Sequence, residues 1–163
     1  MRFPASRSKR ARHNVRETRA DQEVLAEAQD MLHQYGLKDW QVVFDHGRIR
    51  LGSCDYHKRR ISLSRYFVRN NAASDIKETI LHEIAHALVG PGHGHGPVWQ
   101  RQAQALGIPT RASARHVQMP EPPWNLVCKG CGQIVARRHR RRMDIRRYAC
   151  RDCLGGLEWV ANQ

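Results

Sequence analysis

Residues 76–99 read IKETILHEIAHALVGPGHGHGPVW, and the first fourteen of them decide the fold of the central part of the chain. Ile76, Ile80, Leu81, Ile84, Ala85, Leu88 and Val89 recur at helical spacing, which predicts an apolar helix packed inside a domain. Ser74 with Asp75 offers it a start, and Gly90-Pro91 cannot continue it beyond Val89. His82 and His86 are four apart on this helix, so they share one face and can reach one ion at the ~2.0–2.1 Å of a zinc–nitrogen bond. Glu83 stands beside the first histidine, placed to accept a proton from water as a general base. The plainer alternative is a core helix whose polar side chains are satisfied by their neighbours, so a third ligand matters.

The loop that follows, PGHGHG at 91–96, offers His93 and His95. A pattern H-E-x-x-H-x-x-G-x-x-H would put the third histidine at position 92, which is Gly92, so the chain does not follow that template. A catalytic zinc takes three protein ligands and keeps a position open; the spacing alone leaves His93 and His95 both available. A shorter helix is predicted from Pro97 to Leu106, with proline in its first turn and Gly107 at its end.

Upstream, Val24, Leu25, Ala28, Met31, Leu32 and Tyr35 predict a helix over 20–35 closed by Gly36. WQVVFD at 40–45 and GRIRL at 47–51 read as two strands around a turn at His46-Gly47, and RISLS at 60–64 alternates as a half-buried strand. That third strand is the expected edge along which an extended peptide would pair. Residues 70–74 form a polar break, and Cys54 reads as a small buried residue after a strand.

Downstream, 108–123 is aperiodic and holds Pro120, Pro122 and Pro123, which predicts a linker. Beyond it stand Cys128, Cys131, Cys150 and Cys153 in a C-x2-C-x18-C-x2-C arrangement, the spacing of a closed, structural zinc ribbon. The intervening chain is expected to fold as a hairpin of 133–139 with 145–149, and Trp159-Val160 to add a short strand. Two C-x-x-C pairs among five cysteines argue for metal over disulfides in a reducing compartment.

At 163 residues the chain can hold one ordinary core and a small appendage. The expected organisation is a basic, disordered tail at 1–19, a main domain at 20–107, the linker and a ribbon at 124–163. The net charge of +13 is local: residues 1–20 contribute +6 and 128–153 contribute +7, leaving a neutral body. Arg137, Arg138, Arg140, Arg141, Arg142, Arg146 and Arg147 crowd the ribbon. Such density points to phosphate contacts with nucleic acid, without sequence preference and with single strands as one form, rather than to a merely solvated face. MRFPASRSKRARHN has no apolar run behind it, and no stretch approaches the roughly 18 apolar residues of a membrane span. The expectation is a monomer of the cytoplasm, associated with the nucleoid, or of the nucleus in a eukaryote, with no membrane partner.

HEIAHALVG followed by Gly94-His95-Gly96-Pro97-Val98-Trp99, together with Leu51-Gly52-Ser53-Cys54 and Arg60-Ile61-Ser62-Leu63-Ser64 upstream, resembles the SprT/Spartan-like metalloproteases. The likeness spans roughly residues 20–107 and continues into the terminal module. It implies that His95, not His93, completes the catalytic zinc site, and His95 stands just ahead of the helix whose start at Pro97 fixes its backbone. The expected fold is α+β and zincin-like: an N-terminal helix, a small antiparallel sheet and the H-E-x-x-H helix, followed by the four-cysteine ribbon. The expected cofactors are two zinc ions, one catalytic and one structural. The resemblance further implies an endopeptidase that cleaves proteins bound or crosslinked to DNA; the alternative is a non-catalytic, regulatory nucleic-acid-binding zinc protein.

Overall fold

The computed structural model describes residues 19–110 and 117–162. Residues 1–18 of the basic tail expected over 1–19 and residues 111–116 of the expected linker lie outside the described residues.

Helix α1 (Arg19–Gln34) buries Ala28, Met31 and Leu32, and Gly36 at φ 78° turns the chain out of it. Asp21 in its first turn is only 2 % exposed and accepts from the Arg69 guanidinium at 2.6 and 3.3 Å. That bond ties α1 to the short helix α2 (Arg65–Asn70). Three strands follow α1 in sequence, β1 (Gln41–Asp45), β2 (Gly52–Asp55) and β3 (Arg60–Ser64), in the spatial order β1-β3-β2. β2 and β3 are antiparallel, Gly52 opposite Leu63, whereas β1 runs parallel to β3, Gln41 opposite Arg60. The sheet is therefore mixed rather than purely antiparallel.

Two further differences from the sequence reading follow from this order. The expected hairpin at His46-Gly47 does not form: 46–51 is a loop held by Asp45, whose carboxylate accepts from the Gly47 amide at 2.7 Å and from Arg50 at 2.6 Å. The second strand begins only at Gly52. β3, expected at an edge, is the centre, with Ile61 and Leu63 fully buried and Ser62 and Ser64 nearly so. Both its sides are already paired, so no extended partner can add to it. Of the two real edges, β1 is partly closed by Gln29 of α1, whose amide donates to Trp40 O at 2.8 Å and accepts from Val42 N at 3.1 Å. Among the described residues, β2 is the open edge.

Helix α2 has no counterpart in the sequence reading. It starts because the Ser64 hydroxyl caps it, accepting from Phe67 N at 3.2 Å while donating to Gly47 O at 2.6 Å. Helix α3 (Ala73–Val89) begins after Ala72, which lacks a capping side chain, so Ser74 lies inside the helix rather than at its cap. Gly90 ends it at φ 79° with its N–H on His86 O, as the Gly-Pro pair predicts. Helix α4 (Pro97–Ala105) has proline in its first turn. Together α1, α3, α4 and the sheet enclose one core containing Phe67, Ile80, Ile84 and Trp99.

The C-terminal module is a second, three-stranded antiparallel sheet of β4 (Trp124–Cys128), β5 (Ile134–Arg138) and β6 (Leu157–Ala161), in the order β5-β4-β6. β5 pairs with β4 and not with 145–149; residues 145–147 form a 3-10 turn because the Asp144 carboxylate caps Arg146 N and binds its guanidinium at 2.9 Å. The module's buried core is Leu126, Cys128, Cys150 and Leu157, too little apolar surface to order a chain without a staple. The architecture is α+β, a zincin-like domain followed by a four-cysteine ribbon. Among the described residues no helix is long and apolar enough to cross a membrane.

Candidate functional site

Helix α3 turns Ile76, Ile80 and Ile84 into the core and presents His82 and His86 on another face, as its period requires. The chain then reverses within a few residues, with Gly92 at φ 89° and Gly94 at φ 49° in the left-handed conformations that side chains oppose. This reversal brings His95 back over the helix. His95 Nε2 lies 3.0 Å from His82 Nε2 and 3.1 Å from His86 Nε2, and Gln100 of α4 holds the His95 carbonyl at 3.0 Å. His93 is exposed and takes no part in this group.

Nitrogens sharing a tetrahedral ion at ~2.0–2.1 Å bonds stand about 3.3 Å apart, so the three imidazoles fit a metal ion with little adjustment. Burial, reinforced by the neighbouring imidazoles, pushes His82 and His86 down to about 4. Their rings are therefore neutral near pH 7, with nitrogen lone pairs available to a cation.

Two residues of this centre have roles that periodicity and spacing do not reveal. Trp99 of α4 is fully buried under the imidazoles, its ring centroid 4.6 Å from those of His82 and His95 and stacked 5.3 Å from His86. Gly52, at the start of the open edge β2, faces Glu83: a Cβ there would meet Glu83 Cγ and Oε1 at 3.0 Å. Only glycine lets the carboxylate lie this close to the strand. The string Leu51-Gly52-Ser53-Cys54 is visible in the sequence; the contact is not, because it depends on how β2 crosses α3.

Glu83 is 7 % exposed, and its burial pushes the carboxyl up to about 7, against the pull of Arg50. A carboxylate with that proton affinity can take and return a proton near neutral pH. Glu83 and the three histidines open into one cleft of about 570 Å³, walled by β2 and the 49–51 segment on one side and by Val117 and Met119 on another. Cys54 lies in β2 itself, part-buried in this wall; burial and then Glu83 push its thiol up to about 12, which keeps it neutral. Tyr56 donates to His86 O at 3.2 Å from the same wall.

The four ribbon cysteines also converge. Cys128 Sγ is 3.3 Å from Cys153 Sγ, Cys131 Sγ is 3.7 Å from Cys150 Sγ, and all four donor atoms lie within 4.8 Å of one another. Thiolates on a tetrahedral ion at ~2.3 Å bonds are about 3.8 Å apart. The Cys131 amide, with that of Gly130, helps pull the Cys128 thiol down to about 6, toward the thiolate a metal takes. The seven arginines between 137 and 147 are all exposed. Arg141 lies over the Trp124 ring at 4.0 Å, and Arg146 is engaged by Asp144.

A family model described as SprT-like matches residues 21–118. Two proteins named "Protein SprT-like" are similar to the chain. That of Enterococcus faecalis (strain ATCC 700802 / V583) is 28 % identical over 93 residues, 55 % of this chain and 60 % of that protein. That of Geobacillus kaustophilus (strain HTA426) is 29 % identical over 104 residues, 60 % of this chain and 68 % of its own length.

Proposed function

Because the chain belongs to the SprT-like family, we propose that it is a zinc-dependent endopeptidase that its basic segments bring to DNA, where it cleaves associated or crosslinked proteins. The observation that carries this reading is the meeting of three imidazole Nε2 atoms with the Glu83 carboxylate in one cleft beneath an open strand edge. A structural metal site has no need of a buried base.

His82, His86 and His95 would hold the catalytic ion, and Cys128, Cys131, Cys150 and Cys153 the structural one. A bound zinc supplies Lewis acidity, polarising a carbonyl and making water more acidic. Glu83 takes the proton of the attacking water on its carboxylate and returns it to the departing amide nitrogen. β2 orients the substrate: its free edge pairs with an extended backbone beside Glu83, a role that falls to β2 because β3 is paired on both sides. Arg137, Arg138, Arg140, Arg141, Arg142 and Arg147, with Arg146 partly neutralised by Asp144, contact phosphates without reading bases.

Gly52→Ala tests the orientation of the base. The added Cβ meets Glu83 at 3.0 Å and Ser62 O at 3.2 Å, so Glu83 must move. Glu83 has to give by a few tenths of an ångström, less than the ~1 Å misplacement that costs about 10²-fold in rate; peptide hydrolysis should fall severalfold while zinc content is unchanged, and an unaltered rate would show that Glu83 does not act from this position.

The reading as a whole is tested by incubating the protein with an unfolded protein substrate, with and without zinc and with single- or double-stranded DNA. Cleavage should require zinc, cease with a chelator, and be stimulated by DNA at about 50 mM salt. Stimulation should be largely lost by about 200 mM, since six or more phosphate contacts lose about 10³-fold or more in affinity over that range. DNA binding without any cleavage would favour the non-catalytic zinc protein instead.

A further inference from the structure

The segment after the expected linker's midpoint returns to the cleft. Residues 117–119 alternate, with Val117 and Met119 part-buried and Gln118 exposed, as in an extended chain. Val117 and Met119 both pack on the main core and both line the cleft that holds Glu83 and the three histidines. Between them, the Gln118 backbone is clamped by one side chain. Asn71 Oδ1 accepts from Gln118 N at 2.7 Å, and Asn71 Nδ2 donates to Gln118 O at 2.8 Å and to Phe67 O at 2.8 Å. A side-chain amide thus stands in for a neighbouring strand and uses both its donors and its acceptor to fix this strap.

The clamp sits beside the N-terminal end of α3, since Asn71 directly precedes the Ala72 cap. Glu78 and Thr79 of α3 line the cleft ahead of His82, together with Ile49, Leu51, Val117 and Met119. Thr79 lies three residues before His82, about 4.5 Å along the helix axis. An extended peptide advances about 3.3 Å per residue, so this end of the cleft is within reach of a residue flanking the scissile bond.

We propose that Val117 and Met119, held by Asn71, form a side-chain subsite that selects substrates with a large apolar residue, leucine, methionine or phenylalanine, next to the bond cleaved. This rests on the endopeptidase reading and goes beyond it by naming what the cleft discriminates. Asn71 is a positioning residue. Val117 and Met119 are the specificity determinants.

The test maps cleavage sites in an unfolded protein by mass spectrometry for wild type, Met119→Trp and Asn71→Ala, and in parallel measures binding of labelled peptides to zinc-loaded Glu83→Gln protein with and without Met119→Trp. Wild type should prefer large apolar over small residues at one flanking position by about tenfold, the scale of pocket discrimination by a few methylenes. Met119→Trp fills the subsite and should shift that ratio toward small residues by at least about tenfold. Asn71→Ala should flatten it. The Glu83→Gln protein should bind a leucine-centred peptide more tightly than its glycine counterpart, and lose the difference with Met119→Trp. Cleavage without side-chain preference, or a preference that Met119→Trp leaves intact, overturns the subsite and spares the peptidase. Absence of cleavage with Met119-dependent peptide selection overturns the peptidase and keeps the subsite. Absence of both cleavage and selection overturns both.

Discussion

Glu83→Gln is expected to retain zinc and fold normally while losing hydrolysis of an unfolded, DNA-associated protein by about 10²- to 10⁴-fold, the usual contribution of a positioned general base. Glutamine has nearly the shape of glutamate, so the close approach to Gly52 is preserved and the three imidazoles are untouched. What disappears is the capacity to accept a proton at a group whose burial raises its proton affinity to about neutrality. The measurement is turnover alongside metal content. Loss of zinc from the Glu83→Gln variant would mean that the carboxylate supports the metal; an undiminished rate would remove Glu83 from the chemistry.

The second large effect is at Trp99. Replacing this fully buried indole by alanine should cost about 3–5 kcal/mol of stability, a fall in the thermal midpoint of more than about 10 °C for a domain of this size. It should also weaken the metal site, because the ring is the surface on which His82, His86 and His95 all rest. Trp99→Phe separates the two roles. Among the described residues the indole Nε1 is buried without a hydrogen-bond partner, so phenylalanine gives up no bond to them and keeps most of the platform. Its stability should fall much less and its zinc affinity stay close to wild type. Thermal denaturation and a competitive zinc titration check both; unchanged affinity in Trp99→Ala would show that the imidazoles are held by their own backbone alone.

What the sequence reveals here tracks the range of the interactions involved. The period of α3, its stop at Gly90, the proline start of α4 and the four-cysteine spacing are local and legible, and so are the two histidines four apart. The choice between His93 and His95 is not local. It depends on the φ angles of Gly92 and Gly94, which the letters permit without specifying, and only the resemblance points to His95. Strand order is less legible still. The alternation of RISLS reads as a half-buried strand, yet both its serines are buried, one of them serving as the cap of α2, and its central place in the sheet has no sign in its own letters. The parallel pairing of β1 with β3 depends on a connection running through β2 and its turn, a tertiary fact with no signature in any short window. In the ribbon the cysteines are legible but the hairpin register is not, since β5 finds its partner in residues 124–127, ahead of the first cysteine.

The Gln29 side chain along β1 has a consequence for how copies of this protein behave at high concentration. A small sheet with both margins bare could polymerise, each molecule adding to the next in an endless ribbon. By occupying Trp40 O and Val42 N from within, α1 blunts one margin, so that the two margins are unequal and copies are less able to add end to end.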